Sequence, residues 1–393
     1  MTDPRFNDPL TRRQLLRRAA AGGTAFTALP ALLAACGGGE SAATETAGGT
    51  TGGGKPQLKS ELNFSNWTYY IDTKKPTTFQ QFKEQTGIKV NYYEDVNSND
   101  QYFAKVQGPL SQGKGINRDI FVSTDNSRFP GLYVSQNWVQ ELDKDLMPNF
   151  ANLVDAQAHP PFDPDRKFSM PWLSGMDGIA WNEDLTGPVT TVEQLFTDPK
   201  LKGKVTVWTE MGDTLGLVIL DNGDDPSKVT DESFDRALER VKQAVDSGQI
   251  IRFTGNDYVN PLAKGDLAAC FAWSGDVAQL VADNPKLHWG VPEKGGIIWT
   301  DNMLIPLGGD VPTASTYMNF VYDPKISAKI AVETTYISAV KGVKDEAVKI
   351  DPKAAKNPLI FPDDEILAQL HQNDPAMLNN DDYVTKWQEV QGQ

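Results

Sequence analysis

Strand-like and helix-like segments alternate from Leu62 onward, and this alternation limits the possible folds more than any other feature of the chain. In the first round, strand candidates stand at 62–66, 88–94 and 118–124, with helix candidates at 77–87, 101–112 and 126–136. Strand–helix–strand repeats of this length pair their strands in parallel through right-handed crossovers. After a loop-rich stretch at 159–172 the alternation restarts. The sequence therefore predicts an α/β protein with two lobes.

The first helix candidate carries signals for both of its ends. Thr77 or Thr78 is expected to cap the N-terminus, because a hydroxyl oxygen there accepts a free backbone N–H. Phe79 and Phe82 share one face, and Gly87 is expected to end the helix, since glycine adopts the left-handed conformation without a steric penalty.

The first 35 residues are predicted to be an export signal that is not part of the fold. A basic region is followed by a mildly apolar run and by small residues that end at Cys36. The paired arginines in TRRQLL resemble the twin-arginine signal, although signals for the general export route also carry several arginines. LAAC resembles the bacterial lipobox, whose cysteine is lipidated after cleavage, so Cys36 is the expected membrane anchor. Residues 36–59 then form a flexible tether rich in Gly, Ser and Thr.

Charge and cysteine content narrow the possible partners. The chain has 393 residues and a formal net charge of −15, and loss of residues 1–35, with five arginines and two aspartates, would make it −18. An exported protein this acidic is a poor candidate for binding nucleic acid and is expected to attract cations. Cys270 is the only cysteine besides Cys36, which rules out an internal disulfide framework, and its apolar surroundings predict a buried thiol.

Aromatic and acidic residues recur at the ends of the predicted strands. Ligands of open α/β sheets bind beyond the carboxyl ends of the strands, which makes these positions candidates for a site. Trp299 and Asp301 are two residues apart in a strand and therefore point to the same side. The candidates at strand ends are Trp67, Thr68, Tyr70, Thr124, Asn126, Glu210, Asp213, Trp273, Asp276, Trp299 and Asp301.

Patterns of the common catalytic and cofactor sites are missing from the sequence. There is no HExxH, GxSxG, Walker-type loop or CxxC, and His159, His288 and His371 lie far apart. The sequence therefore predicts no metal and no cofactor, and gives no support to a hydrolase, a metalloprotease or a nucleotide-binding protein. Paired carboxylates would suit a glycoside hydrolase. A secreted enzyme acting on glycosides or amines thus stays as an alternative.

Aromatic rings beside carboxylates suit an organic cation. A protonated amine gains roughly 0.5 to 2 kcal/mol at the face of a tryptophan or tyrosine. A carboxylate accepts its N–H groups at about 1.5 to 3 kcal/mol each, and a buried methylene adds about 0.8 kcal/mol. Acids at separate strand ends could hold both ends of an elongated diamine or polyamine.

Several stretches resemble the bacterial spermidine/putrescine-binding proteins, the exported receptors of polyamine ABC importers. In order they are NWTYYI, RDIFVST, PFDPDRKFSMPW, AWSGD and EKGGIIWTDNMLIP, spread over about residues 60 to 340. The resemblance implies two α/β lobes around a central ligand cleft, joined by crossing hinge strands. Lobe 1 would contain 60–174 and 300–336, and lobe 2 would contain 175–299 and 337–393. It further implies a monomer that passes its ligand to a membrane permease, at the outer face of the cytoplasmic membrane or in the periplasm.

The resemblance also implies a role for each matched residue. Trp273 and Trp299 would stack on the alkyl chain, and Asp276 and Asp301 would bind amines. Tyr336 would approach from the late crossing segment. The cleft wall of the first lobe would contain Trp67, Thr68 and Tyr70, and Thr124 would be the small hydroxyl residue after the third strand.

Two departures from the family pattern leave the ligand open. Asn126 stands near a position where many relatives have an aromatic residue, and in WTEMGDT either Glu210 or Asp213 could supply the expected carboxylate. Glu210 and Asp213 could also merely cap the following helix, as could Asp276, and both tryptophans and Tyr336 could be core residues. Another small organic cation, a zwitterion or a sugar therefore remains an alternative ligand.

Overall fold

The computed structural model describes residues 56–392, which fold around one mixed sheet of eleven strands. The strands are β1 (Glu61–Trp67), β2 (Lys89–Val96), β3 (Ile120–Thr124), β4 (Ser169–Asn182), β5 (Val205–Trp208), β6 (Ile250–Thr254), β7 (Ala269–Trp273), β8 (Leu287–Gly290), β9 (Gly296–Leu304), β10 (Ile337–Ser338) and β11 (Leu370–His371). The α-helices in this part of the chain are α1 (Thr78–Thr86), α2 (Asn99–Ser111), α3 (Phe129–Ser135), α4 (Glu183–Thr186), α5 (Val192–Thr197), α6 (Met211–Asp221), α7 (Asp231–Asp246), α8 (Val259–Lys264), α9 (Ser274–Val281), α10 (Val311–Val321), α11 (Pro324–Thr334), α12 (Val343–Ile350), α13 (Asp364–Leu367), α14 (Pro375–Leu378) and α15 (Asp381–Gln391).

The sheet has a parallel group of strands at each end and antiparallel strands between them. Its order is β2-β1-β3-β9-β4-β7-β5-β6. β1 runs parallel to β2 and β3 at one end, and β5 runs parallel to β6 and β7 at the other. β9 and β4 are antiparallel to each other and to their outer neighbours. These two strands therefore join the two parallel groups.

The long strand β4 changes its neighbour along its length. It pairs with β9 over Ser169–Met176 and with β7 from Asp177 onward. β9 pairs with β3 only through its last residues, from Asp301 to Leu304. Both strands thus extend from one parallel group to the other. The proposed lobe boundaries, at 174/175 and 299/300, stay a prediction.

Helix α1 begins and ends where the sequence predicts. Thr77 is the N-cap of α1, its hydroxyl accepts the Gln80 N–H, and the Gln80 side chain in turn accepts the Thr77 N–H. Gly87 ends the helix at a φ of +78°. Phe82 then turns inward and is fully buried, as is Phe64 of β1. Burial of each such side chain contributes about 1.5 to 3 kcal/mol to folding.

The strand β4 begins earlier than the sequence predicts. The sequence predicts that the alternation restarts only after the loop-rich stretch at 159–172, whereas β4 begins at Ser169, within that stretch. Pro171 obscured it, because proline cannot donate to a strand ladder and suggests a loop. The β4–β9 register shifts between Pro171 and Ser174, and this irregularity accommodates the proline.

The described residues were searched for membrane-spanning helices, groups of metal ligands and free cysteines. Between residues 56 and 392 no helix is long and apolar enough to cross a membrane, and no group of His, Cys, Asp or Glu could hold a metal ion. Cys270 is a buried free thiol, as predicted. The predicted signal, Cys36 and most of the tether lie outside the described residues.

Candidate functional site

The twelve candidate residues all line one cavity. Asn99 and Asn256 line it as well. The cavity has a volume of about 20 Å³, which is room for about one water molecule. The candidates brought together are Trp67, Thr68, Tyr70, Thr124, Asn126, Glu210, Asp213, Trp273, Asp276, Trp299, Asp301 and Tyr336. Their part in binding stays a prediction.

The sheet topology explains why residues so distant in sequence meet. Trp67 ends β1 and Thr124 ends β3, and because these strands are parallel and paired, their carboxyl ends meet at one edge. Trp273 ends β7 in the other parallel group. Trp299 and Asp301 lie on β9 between the two groups, on the same face of the strand.

Five aromatic rings form a continuous chain around the cavity. Trp67 and Trp273 meet edge to face with ring centroids 5.5 Å apart, and Trp273 and Trp299 do so at 6.3 Å. Trp299 then contacts Tyr336 at 5.8 Å, and Tyr336 contacts Tyr70 at 4.8 Å. Edge-to-face contacts of this kind are favourable, and they hold the rings in place around the cavity.

Two glycines make room for this chain of rings. A Cβ on Gly275 would lie 2.3 Å from the Tyr336 ring, and one on Gly175 would lie 2.4 Å from the Trp299 ring. Neither distance is sterically possible without movement of the ring. The AWSGD and LSGMD segments therefore need glycine at these positions to keep Tyr336 and Trp299 in place.

Asp276 accepts hydrogen bonds from three neutral side chains. Asn256 Nδ2 and Tyr258 OH donate to Oδ2, both at 2.7 Å, and Tyr336 OH donates to Oδ1 at 2.9 Å. Burial still raises the pKa of Asp276 to about 6, against the three hydrogen bonds that favour the carboxylate. The alternative that Asp276 caps α9 is wrong, because the N-cap position is Trp273 and no side chain caps that end.

Asp301 is held by residues from the first parallel group. Thr124 Oγ1 donates to its Oδ1 at 2.6 Å. The Tyr70 hydroxyl lies beside the same carboxyl, short of hydrogen-bonding geometry. Burial raises the pKa of Asp301 to about 7, and the neighbouring hydroxyls oppose that rise.

Glu210 and Asp213 both line the cavity, and which of them supplies a carboxylate to a ligand stays a prediction. Asp213 accepts from Asn126 Nδ2, and from Trp273 Nε1 at 3.1 Å. Burial raises the pKa of Asp213 to about 7. Neither acid caps α6 through a side-chain hydrogen bond at its N-cap position.

Glu210 instead accepts from the start of another helix. Its Oε1 accepts the backbone N–H of Asn99, the first residue of α2, at 2.8 Å. A carboxylate at this position also interacts favourably with the helix dipole. Burial nevertheless raises the pKa of Glu210 well above its usual range, and Asp100 and Asp213 raise it further. Glu210 thereby links α2, which follows β2 of one parallel group, to the loop before α6, which follows β5 of the other group.

Sequence reasoning missed four residues of this region. Asn256 and Tyr258 follow β6, so the rule that placed the other candidates at strand ends could have found them. Asn99 begins a helix after β2 and was detectable in the same way. Asp177 lies inside β4 at the indole N–H edge of Trp299, and its position within an unbroken strand gave no signal.

The charge of the cavity is one-sided. Four of its lining side chains are carboxyls, and none of the lining residues is a lysine or an arginine. Ionised carboxylates buried without a cation are costly, which is why their pKa values rise. A ligand that carries ammonium groups would supply both the missing positive charge and N–H donors. The arrangement has the rings and acids that an organic cation needs.

Comparisons with known proteins identify relatives in sequence and in fold. The Escherichia coli spermidine/putrescine-binding periplasmic protein is 25% identical over 311 residues, which span 78% of this chain and 84% of that protein. The substrate-binding protein PotD of a spermidine/putrescine ABC transporter from Streptococcus pneumoniae superposes with a TM-score of 0.66 at 21% identity, over 84% of this chain and 97% of that one. The binding protein AgtB of A. tumefaciens, in complex with agropinic acid, superposes with a TM-score of 0.67 at 17% identity, over 86% and 100%.

These likenesses confirm the predicted two-lobed α/β fold of the periplasmic binding proteins. Residues 77–362 match the family described as bacterial extracellular solute-binding protein, which is a family of binding proteins and not of enzymes. The match spans most of the chain, and it places the protein among extracytoplasmic solute-binding proteins. This protein belongs to the bacterial extracellular solute-binding protein family.

Proposed function

We propose that this protein binds a di- or polyamine of the spermidine/putrescine class in the aromatic, acidic cavity and delivers it to the permease of an ABC importer. The observation that carries the proposal is the set of buried carboxyls without a cation, surrounded by five aromatic rings. The names of the curated relatives point to the same class of ligand. Alkyl segments between the amines would lie against the indole faces.

The acids distinguish this ligand class from a neutral sugar. A sugar would offer hydroxyl donors but no positive charge, so the carboxyls would stay protonated or uncompensated. AgtB shows that the fold accommodates other ligands, and the fold alone therefore does not fix the ligand. What favours an amine is the combination of Asp276 and Asp301 with Trp273 and Trp299 around one cavity.

Binding requires the two halves of the molecule to separate and close again. A cavity of about 20 Å³ is too small for the six heavy atoms of even the shortest of these diamines. The halves meet where the Asn256 N–H donates to the Asn97 carbonyl at 3.0 Å. Asn256 also donates to Asp276, so closure at this contact is coupled to a carboxyl of the site. A hinged opening of the lobes would admit the ligand.

A zwitterion is the second candidate ligand, and one observation favours it. The Trp67 indole N–H is buried at the cavity and has no hydrogen-bond partner. A fully protonated polyamine cannot accept this hydrogen bond, whereas the carboxylate of an amino acid could. The number of acids around the cavity still favours the more highly charged polyamine.

The proposed function includes a lipid anchor at the N-terminus of the mature protein. Lipidation of Cys36 would hold the protein as a monomer at the outer face of the cytoplasmic membrane, with residues 36–59 as its tether. The support is the lipobox-like LAAC and the Gly-rich run behind it. Mass spectrometry of the mature N-terminus tests this, since a diacylglyceryl group is expected on Cys36 and none on a C36S variant.

A thermal-shift screen of the mature protein tests the proposed ligand class. Putrescine, spermidine and spermine are compared with amino acids and sugars at equal concentrations. A ligand present at 100 times its Kd stabilises the folded state by about 2.7 kcal/mol. The proposal predicts that at least one polyamine raises the melting temperature and is recovered unchanged. Stabilisation by sugars or amino acids alone, or turnover of an amine, would contradict it.

A further inference from the structure

Asp177 is a fully buried acid that does not itself line the cavity. It lies on β4 in the middle of the sheet, at the indole N–H edge of Trp299. Its Oδ1 accepts the Trp299 indole N–H at 2.8 Å, and its Oδ2 is buried without a hydrogen-bond partner. Oδ1 of Asp177 therefore orients the Trp299 ring, while Oδ2 lacks a hydrogen-bond donor.

The groups that face Asp177 are themselves acidic. Asp213 of α6 and Glu210 of the preceding loop are the charged neighbours that act on it. Asp213 already accepts from the Asn126 amide and from the Trp273 indole. Two ionised carboxylates can only accept hydrogen bonds, so the free oxygen of Asp177 gains a partner only when one of the two acids carries a proton.

The electrostatic balance favours such a proton. Burial, followed by the negative charge of Asp213, raises the pKa of Asp177 well above its usual range. Burial also raises the pKa of Asp213, to about 7, although its two donors oppose the rise. Asp213 has both donors and lines the cavity, whereas the second oxygen of Asp177 has no donor, so Asp177 is the member of the pair that is placed to carry the proton.

We propose that Asp177 is a positioning residue of the cation site, which orients Trp299 and shares one proton with Asp213 until an ammonium group binds there. The inference rests on the proposed function, because it needs a cationic ligand. An ammonium beside Asp213 supplies positive charge, and an opposite charge within about 4 to 6 Å stabilises the ionised form of a carboxyl. The shared proton then leaves to the solvent, and both carboxylates are ionised in the complex.

Binding of the amine should therefore release the proton of Asp177, a residue that does not line the cavity. Other acids at the cavity, Asp276 and Asp301 among them, can also release protons on binding. A substitution at Asp177 separates the proton that Asp177 releases from the protons that the other acids release. In D177N the amide oxygen can still accept from Trp299, and the amide N–H can donate to Asp213. The variant therefore imitates an Asp177 that never loses its proton.

Calorimetric titration with putrescine and with spermidine, at about pH 7 in two buffers of different ionisation enthalpy, counts the protons released. D177N is expected to release about one proton fewer per ligand than the natural protein, with the Trp299 environment retained in fluorescence. D119N is the matched control, because Asp119 is a buried acid remote from the cavity that accepts the backbone N–H groups of Asn63 and Asp310. It should release as many protons as the natural protein.

Equal proton release by D177N and the natural protein would overturn the proposal. So would binding by the natural protein without any proton release. Infrared spectroscopy of the ligand-free protein tests the shared proton without a ligand: the protonated-carboxyl absorption near neutral pH, to which Glu210 and Asp301 also contribute, should lose one band in D177N and none in D119N. If neither amine binds, the proposed function fails, and this band still decides whether the Asp177–Asp213 pair holds a proton.

Discussion

Buried carboxylates occur in this molecule in two contrasting settings. Between α11 and the loop after β1, the Lys329 ammonium lies 2.7 Å from Asp72 and 2.8 Å from Glu333, and both acid side chains are nearly inaccessible to solvent. At the cavity, Asp276 and Asp301 are equally buried and accept hydrogen bonds only from neutral groups. Asp72 and Glu333 therefore have a lysine of the protein as their partner, whereas Asp276 and Asp301 have no cationic partner.

The pKa values reflect the same difference. Although burial opposes it, the hydrogen bond from Lys329 holds the pKa of Glu333 below its usual value. Burial without a cation raises the pKa of Asp301 to about 7. Lys329 and Glu333 therefore stabilise the structure as an ion pair. Asp276 and Asp301 are suited to receive a cation from outside, which is the central claim of the proposed function.

Removing the cation of the first setting should have the largest effect. Replacement of Lys329 by Met leaves Asp72 and Glu333 as uncompensated buried acids. Loss of one partner of a buried ion pair costs about 3 to 5 kcal/mol of unfolding free energy, which chemical denaturation measures. Lys325 on the same helix is exposed, so K325M should change stability by less than about 0.5 kcal/mol. If K329M had the same unfolding free energy as the natural protein, Lys329 would not be needed to compensate the buried acids Asp72 and Glu333, and the difference between the two settings would be contradicted.

Neutralising an acid of the second setting should weaken binding and spare the fold. D301N keeps an oxygen for the Thr124 hydroxyl but loses the charge that an ammonium would meet. Hydrogen bonds to charged groups contribute about 1.5 to 3 kcal/mol, so affinity for the best polyamine should fall more than tenfold in calorimetric titration.

The same D301N variant should unfold no more easily than the natural protein without ligand, because a costly buried charge has been removed. D345N is the matched control, since Asp345 is an exposed acid on α12 and the change in net charge is identical. Unchanged affinity in D301N would exclude Asp301 from the site.

The pH dependence of stability should oppose that of binding. The raised pKa values of Asp276, Asp213 and Asp301, at about 6, 7 and 7, mean that the folded protein holds more protons than the unfolded chain. The free energy of unfolding without ligand should therefore fall as the pH rises from about 5 to about 8. Polyamine affinity should rise over the same interval, as the carboxyls ionise. Melting curves and titrations across this interval measure both, and parallel trends would contradict the account.

An exposed ion pair should matter least. Arg128 lies 2.7 Å from Asp381, which joins the first half of the molecule to α15, but the Asp381 side chain is 83% exposed. Exposed pairs contribute roughly 0.2 to 1 kcal/mol. D381N should therefore change melting temperature and polyamine affinity only slightly. A loss comparable to that of K329M would show that burial is not what separates the two settings.

The periodic part of the fold could be predicted from the sequence. Strand and helix periods gave the α/β alternation, and Thr77 and Gly87 gave both ends of α1, because caps and turns depend on neighbouring residues alone. The beginning of β4 could not be predicted, since Pro171 suggests a loop and only the shifted pairing with β9 shows that a strand tolerates it.

The candidate site divides in the same way. Residues at strand ends, such as Trp67 and Trp273, follow from the rule that parallel strands direct their carboxyl ends to one edge. Asp177 has no such position, and its importance depends on which side chains of β9 and α6 pack against it. Likewise, the sequence could not show that Glu210 accepts from the start of α2, because that contact joins residues 111 positions apart.

Calorimetric titration of the mature protein with spermidine and putrescine at about pH 8 tests the central claim most directly. The account predicts saturable binding of one amine per protein, with affinity that D301N reduces more than tenfold and D345N leaves unchanged. If neither amine binds, or if both variants bind as the natural protein does, the buried acids of the cavity are not a receptor for an organic cation.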